Sequence, residues 1–193
     1  MANTDERLFL WLNGFVGTVP FLDRLTQLLV SDYLVPMTLA LVLVALWYVE
    51  PEKVARQRNQ IGVFVALTAM GLASLVVFWL NAYYDRPRPF ETLEVAMLFY
   101  KPTDPSFPSN ATAAVFGIAT TVWGVNRRMG SAMLAAAGLY GLARVYAGVH
   151  YPMDVVAGAI IGAAMSYLAF RLRDLLMPVL VWVIKAMRIL CLA

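Results

Sequence analysis

The chain has 193 residues, of which 61% are hydrophobic and only 14% charged, with a mean hydropathy of +0.70. Soluble domains carry about a quarter charged residues, so apolarity of this degree, gathered into long runs, excludes an ordinary water-soluble domain and points to an integral membrane protein. The net charge of +3 is too small to mark a nucleic-acid partner, and one cysteine (Cys191) with one histidine argues against disulfides and metal centres.

The opening stretch MANTDERLF is acidic where a signal peptide is basic, so the membrane segments themselves are expected to direct insertion. Residues 8–30 are apolar but interrupted by Gly14, Gly17, Pro20 and the pair Asp23–Arg24. They read as two short helices lying along the interface or dipping into it, with a full crossing left open. Residues 34–49 form the first good transmembrane helix, with Trp47 and Tyr48 at an interface, and residues 60–82 form the second. A polar, proline-rich segment runs from Tyr83 to Pro108. Helices are then expected at about 109–125, 130–147 and 153–171. The remainder is broken by Pro178, carries Lys185 and Arg188, and suits an amphipathic surface helix, with Cys191 an inert tail residue. The predicted fold is therefore all-α, a polytopic membrane bundle of five or six transmembrane helices. Residues 1–33 are its N-terminal section, 34–172 its core and 173–193 its tail. Gly158 and Gly162 give a small-xxx-small pattern that lets helices approach closely.

Basic residues orient the bundle. Lys53, Arg56 and Arg58 follow the first clear helix, Arg127 and Arg128 the third, and Arg171 and Arg173 the fifth. The positive-inside rule makes that side cytoplasmic. Loops 83–108 and 144–152 then face the periplasmic or extracellular side together. They still contain Arg86, Arg88, Lys101 and Arg144, on the same side as His150. Charges placed against the topology imply another task.

Three segments supply it. NAYYDRPRPF (81–90) sets two arginines before prolines that hold the chain extended. DPSFPSNATAAVF (104–116) opens a helix at Pro108, Ser109 and Asn110, and a helix start offers free N–H groups to an anion. ARVYAGVHYPMD (143–154) carries the lone histidine, with Pro152 suited to the first position of the last core helix and Asp154 in its first turn. Arginines bind phosphate oxygens in bidentate fashion. A histidine whose far nitrogen is held by a carboxylate is a competent phosphoryl acceptor. Taken singly, arginines near a membrane meet lipid headgroups and a histidine at a helix start is a cap. Together they describe a phosphate pocket. Trp79, Tyr83 and Tyr84 read as interface anchors, and Asp85 and Glu91 as ion-pair partners of the loop arginines.

These residues resemble the PAP2 family, the type 2 phosphatidic acid phosphatases, whose core is shared with vanadium haloperoxidases. The family signature runs K-x6-R-P, then P-S-G-H, then S-R-x5-H-x3-D. The third motif is present as Arg144, His150 and Asp154, with Ala143 in the serine position. The first ends in Arg88–Pro89 but begins with Asn81 in place of lysine. The second is Pro108-Ser109-Asn110, with Ala111 where histidine belongs. The resemblance, over roughly residues 8–172, implies that His150 attacks phosphorus to give a phosphohistidine, that Asp154 orients it, and that Arg88, Arg144 and Ser109 clamp the phosphate beside Asn110. Arg86 or Lys101 would make up for the charge missing at Asn81. No metal or cofactor is implied.

Ala111 cannot protonate a leaving oxygen. Loss of a general acid costs about 10²–10⁴ in rate, a severe loss for an alkoxide and a mild one for a phosphate leaving group. The expected substrate is therefore a lipid diphosphate, with a polyprenyl diphosphate such as undecaprenyl diphosphate first, and lipid monophosphates behind it. Asp104, Tyr83, Tyr84 and Lys101 stay open as alternative proton donors. Two other functions also stay open, lipid-phosphate binding or transport without catalysis and phosphoryl transfer to another acceptor. Membrane lipids are the expected surroundings, and a homodimer is left open.

Overall fold

The computed structural model describes residues 4–189, so Cys191 lies outside the described residues. Among the described residues eight helices follow one another: α1 (Thr4–Asn13), α2 (Pro20–Val30), α3 (Leu34–Tyr48), α4 (Lys53–Tyr84), α5 (Pro89–Thr92), α6 (Asn110–Val125), α7 (Arg127–Tyr146) and α8 (Pro152–Ile189). Their starts are local chemistry. Glu52 caps α4 by accepting from the N–H groups of Val54 and Ala55 at 3.1 and 3.0 Å. Asn126 ends α6 and caps α7 in one residue, accepting from Met129 N at 3.1 Å. Pro20 and Pro152 open α2 and α8, where their missing N–H leaves no intrahelical bond unmade.

The core is the packing of α4, α6 and α8, with α7 against α6. Its middle is narrow because Ala66, Ala69, Ala73, Ala113 and Ala119 are fully buried and let the helix backbones draw together. The approach of α8 to α6 is made at Gly158 and Gly162. A Cβ on Gly158 would stand 2.5 Å from the carbonyl oxygen of Ser109, and one on Gly162 would meet Ala113 O. Only glycine allows α8 to lie so close to the start of α6. That contact brings two helix beginnings together, and Ser109 N donates to Asp154 O at 3.0 Å across it.

Large apolar side chains cover the outside, among them Leu41, Phe78, Trp79, Ile160, Tyr167 and Trp182, each more than 60% exposed. A surface of this kind suits hydrocarbon rather than water, and the protein is an integral membrane protein. By length and composition α4 and α8 can each cross a membrane, and α2 with α3, bent by 51°, forms a third candidate span. α6 is apolar but only 16 residues long.

Two features differ from the sequence reading. A short helix, α5, interrupts the proline-rich segment, closed at its start by Glu91 accepting from Arg88 N at 2.7 Å. More significantly, α8 does not end near residue 171 but runs through Pro178 to Ile189. Proline removes one backbone donor, but packing outweighs that loss here. Ile184 is 1% exposed, and Met177, Leu180 and Met187 pack on the same core cluster as α3 and α4.

Candidate active site

The C-terminal ends of α4 and α7, the starts of α6 and α8, and the segment 85–108 meet at one end of the bundle. Gly148, at φ 89°, turns the chain after α7 so that Val149 and His150 fold back under the segment, with Leu98 N donating to Ala147 O at 3.2 Å.

His150 is 2% exposed. Its Nδ1 lies 3.0 Å from the backbone carbonyl of Ser106, an acceptor only, so Nδ1 carries the proton and Nε2 keeps its lone pair. Arg88 Nη1 approaches that Nε2 at 3.3 Å. Asp154 is fully buried, and its Oδ2 stands 3.8 Å from Nδ1, beyond hydrogen-bond reach. The link between them is Ser106, whose hydroxyl donates to Asp154 Oδ2 at 2.5 Å while its carbonyl holds the imidazole. Burial, together with the positive charges of Arg144 and Arg88, pushes the His150 pKa down to about 4 against the opposing pull of Asp154. The ring is therefore neutral, and nucleophilic, at neutral pH.

Of the two arginines of the first and third motifs, Arg88 touches this ring and Arg144 acts on it through its charge. Arg88, 2% exposed, donates from Nε to Asp104 O (2.7 Å), from Nη1 to Val149 O (2.9 Å) and from Nη2 to Asp104 Oδ1 (2.9 Å). Arg144, 4% exposed, donates from Nη1 to Tyr140 OH (2.9 Å) and Asp32 Oδ1 (3.2 Å), while its buried Nε has no partner among the described residues. Asp32 also accepts from Tyr100 OH at 2.7 Å. Both carboxylates on these arginines are exposed, 57% for Asp104 and 41% for Asp32, whereas the arginines are not. An incoming phosphate would compete with them from the open side, and Arg144 Nε is a donor that such an anion would satisfy.

Ser109 is buried, caps α6 and lies 3.0 Å from Thr112 Oγ1. Asn110 is exposed and lines a cavity of ≈ 360 Å3 shared with Asn81, Asp104, Val77 and Phe78. Ala111 instead packs on the apolar core. The remaining candidates have other partners. Arg86 bridges Asp154 Oδ1 (2.6 Å) and Asp5 Oδ2 (2.8 Å) with its guanidinium 4.0 Å above the ring of Tyr151, and so backs the carboxylate behind His150. Asn81, its amide nitrogen turned toward acceptors, donates to Phe107 O at 2.8 Å and ties the second motif to α4. Lys101 is exposed, 5.6 Å above Phe90. Glu91 holds the loop through a backbone N–H rather than an arginine, and Asp85 ends α4 in the left-handed conformation at φ 41°.

Ser106, Asp5, Asp32 and Tyr140 are not legible in the sequence as site residues. The one available signal is for Ser106, a hydroxyl in the run PSFPS close to a helix start. Asp5 and Asp32 reach the site from α1 and from the turn between α2 and α3, and nothing in their neighbourhoods announces it.

The arrangement, a neutral imidazole tied at Nδ1 and flanked by two buried arginines, is what phosphoryl transfer to nitrogen requires. Residues 62–178 match the family model described as PAP2 superfamily, more than half of the chain. The chain belongs to the PAP2 superfamily. Among curated proteins it is similar to the undecaprenyl-diphosphatase BcrC of Bacillus subtilis, 29% identical over 90% of this chain and 86% of that protein. It is also similar to the bacitracin transport permease protein BcrC of Bacillus licheniformis, 32% identical over 68% of this chain and 63% of that one. Among solved structures, that of Aquifex aeolicus LpxE superposes with a TM-score of 0.65 at 29% identity, covering 88% of this chain and 96% of LpxE.

Proposed function

We propose that this PAP2 protein is a phosphatase that hydrolyses a polyprenyl diphosphate, undecaprenyl diphosphate or a close analogue, on the outer face of the cytoplasmic membrane. The observation that carries the reading is the His150 ring, with its Nδ1–H committed to Ser106 O and its Nε2 lone pair turned toward Arg88. Nε2 attacks the terminal phosphorus, the N–P bond forms, and the bridging P–O bond breaks with its electron pair leaving on polyprenyl phosphate. Arg88 and Arg144 balance the charge on the transferring oxygens. Asp154, 3.8 Å from Nδ1, stabilises the positive charge that develops on the ring. Water then attacks the phosphohistidine, the N–P bond breaks back to Nε2, and orthophosphate departs.

Ala111 provides no proton for the leaving group, which favours an anhydride over an alkyl ester. The two substrate classes should differ by about 10²–10⁴ in turnover if no other group supplies that proton. A panel of lipid diphosphates against monophosphates, assayed in EDTA, tests both points. Diphosphate hydrolysis should proceed without added metal and fall to background in His150→Ala. Equal hydrolysis by that variant would overturn the assignment of the nucleophile, and faster monophosphate hydrolysis would overturn the anhydride preference.

A second reading rests on Asn81 and Ala111 standing where the family has lysine and histidine, and on the transport function in the name of the Bacillus licheniformis relative. In it the pocket holds a lipid phosphate without hydrolysing it. Tight binding of polyprenyl phosphate with no turnover of any diphosphate would favour this reading, and turnover would exclude it.

A further inference from the structure

The end of the bundle remote from His150 carries a second basic feature that the phosphatase chemistry does not use. There α4, α6 and α8 enclose a cavity of ≈ 440 Å3 whose lining includes Gln57, Arg58, Ile61, Val65, Phe170 and Arg173. The volume falls within the roughly 300–1,000 Å3 usual for small-molecule sites. Arg173 stands some twenty residues along α8 from Pro152, roughly 30 Å at the rise of an α-helix. This cavity is therefore separate from the catalytic one.

Its chemistry is divided. Arg58 is exposed and makes no ion pair or hydrogen bond among the described residues. Among the described residues Arg173 is paired only with its neighbour Asp174, whose side chain is 71% exposed, a solvent-screened pair that holds the guanidinium weakly. Both guanidinium groups are thus available to an anion. Beneath them the walls are apolar, with Ile61 8% and Val65 2% exposed. Phe170 lies flush on Gly124, where a Cβ would stand 2.7 Å from its Cζ. A free phosphate has no use for such walls, and a neutral lipid has no use for two arginines. Lys53, Arg56, Arg127, Arg128 and Arg171 add further positive charge in the sequence around this end. Basic pockets between membrane helices are established binding places for anionic headgroups.

We infer that the cavity binds the headgroup phosphate of an anionic phospholipid, with Arg58 of α4 and Arg173 of α8 as its donors and the acyl chain along Ile61, Val65 and Phe170. The lipid fastens α8 to α4 where α8 has continued beyond its expected end. Phosphate reaches these arginines as a phosphodiester on a lipid, and the catalytic arginines take no part.

Native mass spectrometry of the full chain in detergent tests this with phosphatidylglycerol, phosphatidylcholine and glycerol 3-phosphate as probes. One phosphatidylglycerol should be retained about tenfold more tightly than phosphatidylcholine, and glycerol 3-phosphate should not be retained. Arg58→Glu reverses an exposed charge and leaves folding, followed by circular dichroism, intact. It should weaken phosphatidylglycerol about tenfold, as should Arg173→Gln, whereas Arg144→Ala should leave its retention unchanged. Equal retention of the two phospholipids, retention of glycerol 3-phosphate as tight as that of the lipid, or undiminished binding in both cavity variants would overturn the inference. So would loss of the lipid in Arg144→Ala alone, which would move it to the catalytic pocket.

Discussion

At the scale of residues, the site is a relay in which each group limits the next. Asp5 and Asp154 share Arg86, Asp154 takes the Ser106 hydroxyl, and the Ser106 carbonyl takes the proton of His150 Nδ1. Arg144, His150 and Asp154 are readable in the sequence because helix packing alone seldom sets three such polar residues at fixed spacing ahead of an apolar helix. That Asp154 reaches His150 through Ser106 is not readable, since spacing along a chain does not reveal what lies between two side chains. Removing the hydroxyl by Ser106→Ala should lower kcat about 10- to 100-fold, the equivalent of one hydrogen bond to a charged group. KM should stay nearly unchanged, because the hydroxyl touches no substrate atom in this account; a rise in KM with kcat preserved would contradict it. The depressed histidine also fixes a pH dependence. A base whose pKa is about 4 in the folded protein stays unprotonated down to that pH, so the histidine limb of the kcat/KM profile should lie near pH 4 rather than 6.5. The unfolded chain binds this proton more readily than the folded one. Its stabilising contribution is therefore complete above about pH 6.5 and is lost as pH falls toward 4. Profiles of kcat/KM and of thermal midpoint against pH, the latter compared with His150→Ala, check both.

Helices set these residues in place, and they are legible to different degrees. Hydropathy locates α3, α6 and α7 within three residues of their ends, because a long apolar run ended by a cap or a charge has one reading. By contrast α4 begins at Lys53, ahead of the apolar run expected from residue 60, because Glu52 caps a polar first turn. The path of α8 is not legible past Pro178, since a proline weakens a helix locally while the packing of Ile184 that holds it is a distant contact. The junction of α6 and α8 has the most influence on the site. Gly162→Val should push α8 off the backbone of Ala113, with a cost of about 1–3 kcal/mol or more. Activity should fall with it, as Ser109 and Asp154 separate. A thermal midpoint equal to that of the unaltered chain would show the contact to be looser than described. In α4, Gln60 is fully buried and neither atom of its amide has a partner among the described residues. Gln60→Leu should therefore raise stability by about 1–3 kcal/mol, read as a higher midpoint in detergent with turnover unchanged; a lower midpoint would mean that the amide is satisfied by water.

Across the whole molecule, the two ends of the bundle differ in what their positive charges do. At one end arginines are buried, paired with exposed carboxylates and gathered on a histidine. At the other, Arg58 and Arg173 line a cavity with apolar walls. The charge pattern that orients the chain by sequence thus separates into a catalytic and a lipid-facing set, a distinction that needs burial and cannot be drawn from residue types. In the proposed reaction His150 Nε2 becomes covalently attached to lipid-borne phosphorus. The most direct test is to quench the protein under alkaline conditions during turnover of a polyprenyl diphosphate and to analyse the peptide spanning residues 143–154 by mass spectrometry. A base-stable, acid-labile phosphoryl group should appear on His150 within a single turnover and be absent from His150→Ala. Sustained phosphate release with no phosphoryl group on that peptide, or with one on another residue, would contradict it.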